Sequence, residues 1–152
     1  MGLKELMVKR LNKELPVPEY KSEGAVGLDL VSREDVVIPA MSFEIVPLNV
    51  VVKIPDGYVG LLFPRSSLFK KKRLLMTNSV GVIDKDYCGD EDEIKACMLY
   101  LGLGKENSQK IECGERVCQL LIMRADNFEI VEQDTMGESR GGFGSTGGYA
   151  DG

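Results

Sequence analysis

An all-β barrel or jelly roll is predicted for this chain by three observations. Short apolar or alternating runs recur along its length, Gly- and Pro-bearing turns separate them, and no internal repeat, Rossmann or Walker signature offers an α/β alternative. The runs cover residues 36–38, 50–54, 58–63, 74–83, 94–101, 117–123 and 128–131. The turns fall at Pro39-Ala40, Pro47, Pro55-Asp56-Gly57, Pro64 and Cys113-Gly114. At 152 residues and 43% apolar content, one domain with a real core is expected.

At the N-terminus, Leu3, Leu6, Met7, Leu11 and Leu15 share one side of a helical period. Pro16 and Pro18 end whatever precedes them and predict an extended linker through Tyr20. The first fifteen residues are too charged for the apolar core of a signal peptide, and no apolar run reaches membrane-spanning length. A cytoplasmic protein without membrane contact is therefore expected.

The formal net charge is -5 and the pI about 4.9, which argues against generic binding of nucleic acid or acidic membranes, since both need a basic field. Any bound phosphate must be met by a local cluster. The four cysteines, at 88, 97, 113 and 118, contain no C-x-x-C pair, and the chain has no histidine, so a Cys/His zinc site is excluded and reduced, packed thiols are expected. Without histidine neither a Ser-His-Asp nor a Cys-His relay can be built. A hydrolase near neutral pH would rely on carboxylate, tyrosine, lysine or metal.

The most informative stretch is 78–90, Asn-Ser-Val-Gly-Val-Ile-Asp-Lys-Asp-Tyr-Cys-Gly-Asp. Val80, Val82 and Ile83 predict a strand, Gly81 a point where a flat group approaches the backbone, and 84–89 the turn of a hairpin. Asp84 then sits at the lip of that hairpin, with Tyr87 three residues on. Four further segments carry chemistry-bearing residues: Gly27-Leu28-Asp29-Leu30, Pro64-Arg65-Ser66-Ser67-Leu68, Gly114-Glu115-Arg116-Val117-Cys118-Gln119-Leu120 and Arg140-Gly141-Gly142-Phe143-Gly144-Ser145-Thr146-Gly147. Taken singly, each reads as an ordinary strand end, turn or loop. Pro64 to Ser67 nevertheless offers a guanidinium fork, hydroxyls and backbone amides able to cradle phosphate oxygens. Residues 70–73 form a basic run, read as a solvated loop with at most a steering role for a polyanion.

The last sixteen residues, 137–152, hold seven of the seventeen glycines and almost nothing to bury. Ordering such a segment costs on the order of 1 to 2 kcal/mol per residue, so a flexible lid fixed by a ligand is expected there.

In residues and in order these five motifs resemble the trimeric dUTP pyrophosphatases, the dUTPase family, across almost the full length. The resemblance implies a distorted jelly-roll β-barrel over 1–136 with the Gly-rich lid over 137–152, and a strand rather than a helix over residues 6–11. It implies a homotrimer with sites between subunits that hydrolyses dUTP to dUMP and diphosphate with Mg²⁺, which serves nucleotide-pool sanitation and dUMP supply. Residue by residue, uracil would lie against the backbone near Val82 and Ile83, with Asn78 and Gly81 shaping the site, a further backbone contact near Lys95 and Phe143 capping the ring. Tyr87 would stack on the deoxyribose and leave no room for a 2′-hydroxyl. Asp84 would orient and deprotonate the attacking water. Arg65, Ser66, Ser67, Gln119, Arg140, Ser145 and Thr146 would hold the phosphates, and Asp29 would hold Mg²⁺ through water, an ion that keeps several waters and needs few protein carboxylates. Arg116 is read as a phosphate neighbour or a structural ion-pair residue.

Two positions depart from the family pattern: Ser67 stands where glycine is commoner, and Glu91, Asp92 and Glu93 form a short acidic insertion after Gly89-Asp90, expected as an exposed loop. Two other readings use the same pocket. One is a dCTP deaminase-related enzyme, whose catalytic glutamate context is not found here. The other is a nucleotide-gated regulatory module that binds a partner protein.

Overall fold

The computed structural model describes residues 4–143. Eleven short strands and a single five-residue helix occur among them, so the class is all-β. The strands are β1 (Met7–Arg10), β2 (Gly27–Val31), β3 (Val36–Pro39), β4 (Ser42–Pro47), β5 (Val50–Lys53) and β6 (Tyr58–Pro64). After α1 (Leu68–Lys72) come β7 (Leu74–Met76), β8 (Gly81–Ile83), β9 (Lys95–Tyr100), β10 (Ser108–Ile111) and β11 (Arg116–Arg124). All pairing is antiparallel. Two two-stranded ribbons, β1-β5 and β10-β3, join a four-stranded sheet β2-β11-β6-β8 and a three-stranded sheet β4-β9-β7.

Alternation decides which face each strand buries. Leu28 and Leu30 of β2, Cys118 and Leu120 of β11, Leu62 of β6 and Ala96, Met98 and Tyr100 of β9 all point into one core, which also takes Val46, Leu48, Val50, Val52, Ile54 and Ile94. Asp29, Gln119 and Phe63 stand side by side on the opposite, outward face of the four-stranded sheet. Burial pushes the Cys118 thiol up to about 12, so this cysteine is an inert packing group.

The N-terminal segment is strand β1 rather than helix. Tertiary pairing with β5 overrides the helical period, and Val8 packs on the core. Two apolar runs differ from expectation. Residues 74–83 are two strands, because Ser79 adopts a left-handed φ of 60° and turns the chain between β7 and β8. Residues 128–131 are not a strand: Phe128, Ile130 and Val131 are exposed, with no neighbouring strand to pair with. The expected hairpin is also not a ladder, since β8 pairs only with β6 while the returning β9 pairs with β4 and β7. Residues 84–94 are thus a connection between two sheets. The basic run forms most of α1, closed by Arg73 in the left-handed region at φ 57°.

Gly81 faces the core. A β-carbon there would lie 3.1 Å from Leu62 Cβ, and a branched side chain would also drive into the Met76 methyl. Gly81→Val is therefore expected to destabilise the fold by roughly 1 to 3 kcal/mol through overpacking, read as a melting temperature lowered by several degrees.

Candidate active site

Strand β8 is the edge of the four-stranded sheet, so one side of its backbone faces no neighbouring strand. Val82 is exposed on the outward face, opposite Leu61. The connection after Ile83 turns at once, with the Tyr87 N–H donating to the Asp84 carbonyl at 3.2 Å, and returns through Ile94 to Lys95 at the head of β9. These elements enclose a cleft of about 250 Å³ lined by Val82, Ile83, Asp84, Tyr87, Ile94 and Lys95. Five of its six lining residues are ones expected to face base, sugar or water; Ile94 is the addition. A free strand edge beside an aromatic ring and a carboxylate suits a flat, hydrogen-bonding ring with a polar group beyond it.

Asp84 lies at the junction of this cleft with a wider hollow of about 490 Å³ bounded by Tyr58, Lys85, Asp86 and Asp126. Its neighbour Lys85 is drawn away to Asp56, Nζ to Oδ1 2.8 Å. That hydrogen bond holds the Lys85 ammonium above the ordinary lysine value and the Asp56 carboxyl below the ordinary aspartate value. Asp84 is thus left facing the cleft mouth without a lysine partner from its own turn.

A second cluster gathers at the other edge of the sheet. Asp29 on β2 receives two guanidinium groups, Arg65 Nε at 3.4 Å from Oδ1 and Arg116 Nη1 at 3.3 Å from Oδ2. Gln119 of β11 stands between Asp29 and Phe63, its amide directed at the Pro64 carbonyl at 3.5 Å and its side chain filling the space over Gly27. Arg65 is held where β6 ends, its N–H donating to the Val117 carbonyl at 3.1 Å. Beside it opens a basic hollow of about 320 Å³, lined by Arg65, Ser67, Lys71, Lys72, Glu115 and Arg116. Lys72 is neutralised locally by Glu115 at 2.8 Å. The basic run thus contributes Lys71 and Lys72 to the wall, a role the charge pattern hinted at without placing.

The remaining expected residues are dispersed. Ser66 is exposed on the turn after β6, and Ser67 occupies the first position before α1 without a side-chain capping bond. Asn78 lies in the turn before β8, outside the cleft lining, and Gly81 shapes the site only indirectly, by letting β8 sit against Leu62. Arg140 and Phe143 are exposed. Ser145 and Thr146 lie outside the described residues. Of the acidic insertion, Glu91 is exposed as expected, Asp92 is half-buried, and Glu93 is 3% exposed and bonded to Arg33. Sequence alone gave no signal for that burial, because nothing local distinguishes Glu93 from the acids before it.

Among the described residues no three His, Cys, Asp or Glu side chains cluster as metal ligands. Asp29, already flanked by two guanidinium groups, would suit a divalent ion only together with a polyanion, where the ion would supply charge neutralisation.

The dUTPase family profile matches residues 13–147. The chain is 36% identical to the deoxyuridine 5'-triphosphate nucleotidohydrolase of Thermobifida fusca (strain YX), over 99% of this chain and 83% of that one. It is 37% identical to the protein of the same name from Mycolicibacterium gilvum (strain PYR-GCK), over 95% and 96%. In three dimensions it is similar to Staphylococcus bacteriophage 80alpha dUTPase with dUPNHPP, at TM-score 0.80 and 28% identity over 95% of this chain and 99% of that one. The dUTPase of Streptococcus mutans superposes at TM-score 0.69 with 32% identity over 83% and 98%. Relatives more than a third identical along nearly the whole chain, on the same all-β framework, make this protein a member of the dUTPase family.

Proposed function

We propose that this protein hydrolyses dUTP to dUMP and diphosphate, and that the carrying observation is the cleft at β8, which assembles a free strand edge, Tyr87 and Asp84 around one small volume. Uracil takes the backbone of Val82 and Ile83 and approaches Lys95. A base with the wrong order of donors and acceptors leaves buried polar groups unpaired, a discrimination worth about 1 to 3 kcal/mol per group. Tyr87 lies against the sugar. Asp84 accepts a proton from water as that water's oxygen bonds to the α-phosphorus, and the bond from the α-phosphorus to the bridging oxygen breaks, releasing diphosphate. Arg65, Ser66, Ser67 and Gln119, joined by Arg140, Ser145 and Thr146 of the tail, hold the phosphates, and Phe143 covers the base. Asp29 would hold Mg²⁺, which when bound would supply charge neutralisation for the phosphates.

A homotrimer with sites between its subunits fits the separation of the two clusters. Asp29 and β8 lie three strand spacings apart, roughly 14 Å at about 4.8 Å each, and Ile83 is offset from the level of Asp29 by three residues, roughly 10 Å more along the strands. Together that is roughly 17 Å by the same spacings, which sets the base cleft and the arginine cluster of one copy well apart. In a homotrimer the base cleft of one copy meets the arginine cluster of the next. The proposed division is a dUTPase-like body over 1–136 and a substrate-closed lid over 137–152, of which residues 1–3 and 144–152 lie outside the described residues. A cytoplasmic location fits this role in nucleotide-pool sanitation and dUMP supply; no helix among the described residues is long and apolar enough to cross a membrane.

A product assay with dUTP, UTP, dTTP and dCTP tests the reading. Diphosphate release from dUTP alone, falling by roughly 10²-fold when a chelator removes Mg²⁺ and returning with Mg²⁺, is the expected result. Ammonia from dCTP, or tight dUTP binding with negligible turnover, would replace it with a deaminase or a regulatory module.

A further inference from the structure

Tyr87 is presented by an exposed acidic loop, yet its position is fixed from the far end of that loop. Its hydroxyl donates to the Glu93 carbonyl at 3.0 Å, six residues on. Glu93 is the most constrained residue of the connection. Its Oε1 accepts from Arg33 Nε at 2.8 Å and from the Asn49 backbone N–H at 2.9 Å, and its Oε2 accepts from Arg33 Nη2 at 3.2 Å. Asn49 is fully buried in a left-handed conformation, φ 68°, and its side chain exchanges two hydrogen bonds with the Asn12 backbone, at 2.7 and 3.1 Å. The next residue, Ile94, is bonded on both sides: it donates to the Val50 carbonyl at 2.8 Å and accepts from the Leu48 N–H at 2.9 Å.

The residues between Tyr87 and Glu93 have no such support. Asp90 reaches Lys9 at 2.8 Å, a pair exposed on both sides, and Asp92 closes a local turn by accepting from the Gly89 N–H at 2.7 Å. Exposed pairs of this kind hold geometry weakly. A long, soft loop would let the tyrosine ring swing unless its tip were pinned elsewhere.

We propose that the Arg33–Glu93–Asn49 node is a positioning device for sugar selection, which holds the Tyr87 ring against the 2′ side of the sugar independently of the loop that carries it. This rests on the placement of Tyr87 at the deoxyribose proposed above. Glu93 is a positioning residue and touches no substrate. Glu93→Gln keeps the shape but sets an amide donor against the Arg33 fork, so the node shifts and the Glu93 carbonyl moves with it. Tyr87→Phe cuts the tie without touching the core.

The test is the ratio of kcat/KM for dUTP over UTP, with melting temperature alongside, in wild type, Glu93→Gln, Tyr87→Phe, Tyr87→Ala and Asp90→Ala. Tyr87→Ala should narrow the ratio most, and Glu93→Gln and Tyr87→Phe each by about tenfold, chiefly by raising UTP turnover, with Asp90→Ala unchanged. A merely structural role for Glu93 would lower both substrates equally and leave the ratio where it was, which overturns the proposal. If Glu93→Gln does not fold, Tyr87→Phe decides, and a wild-type ratio there is equally fatal. An unchanged ratio in Tyr87→Ala would instead remove the tyrosine from the sugar site and take the node's role with it. A narrowed ratio in Tyr87→Ala with wild-type ratios in the other two keeps the sugar reading and removes only the node.

Discussion

Asp84→Asn is expected to lower dUTP turnover by roughly 10² to 10⁴, the scale for losing a positioned general base, while the fold and dUTP affinity stay close to wild type. The residue is exposed at the mouth of the cleft and contributes nothing to the core, so the amide is accommodated without repacking. What is lost is the proton acceptor. Single-turnover kinetics at saturating dUTP, with equilibrium binding of a non-hydrolysable analogue, separate chemistry from affinity. Wild-type turnover in this variant would sink the assignment of the base, and equal losses in binding and turnover would make Asp84 a substrate contact instead.

Removing residues 139–152 is expected to cut kcat by roughly 10²-fold, and more than it raises KM, while the melting temperature and subunit assembly stay nearly unchanged. The described part of the tail buries nothing: residues 139–143 are exposed, Phe143 fully so, and no regular structure follows Arg124 among the described residues. A Gly-rich segment cannot hold itself down, but Phe143 offers a stacking face and Arg140 a phosphate fork, so substrate supplies the contacts that offset the ordering entropy. On the proposed reading, closure would then exclude water and complete the phosphate contacts mainly in the transition state. Steady-state constants and the melting temperature of the truncated chain measure this, together with protease sensitivity of the intact tail with and without an analogue. An unchanged kcat, or a tail equally protected in both conditions, would show that the lid reading is wrong.

The motifs were legible because each needs particular residue types close together in the chain. Val82, Ile83, Asp84 and Tyr87 lie within six positions, and the cleft they line follows from a short strand ending in a turn. Arg65 was readable as a guanidinium just after a strand, whereas Gln119, within a strand, was singled out only by the family resemblance. By contrast, Asn78 and Gly81 read as site residues yet fall respectively in a turn outside the cleft and against Leu62 in the core. Alternation and propensity say which residues suit a strand but not which strand lies opposite, and here the partner β6 decided the facing.

The sequence by itself determined the all-β class and the absence of histidine chemistry, since these follow from composition and local spacing, while Asp84 as the reacting carboxylate is what the resemblance of its motifs implies and remains a proposal. The N-terminal strand that the resemblance implied over residues 6–11, against the helical period, is borne out, but only the tertiary structure decided which strand it pairs with, that the presumed hairpin connects two sheets, and that Glu93 is buried while Asp90 is not. It also placed Asp29 against two arginines at the opposite sheet edge from Asp84. The physical reason is common to all four. Each depends on a partner distant in the chain, β5 for β1, β6 for β8, Arg33 for Glu93, Arg65 and Arg116 for Asp29, and such pairings are chosen by burial and charge neutralisation that no window of local sequence contains.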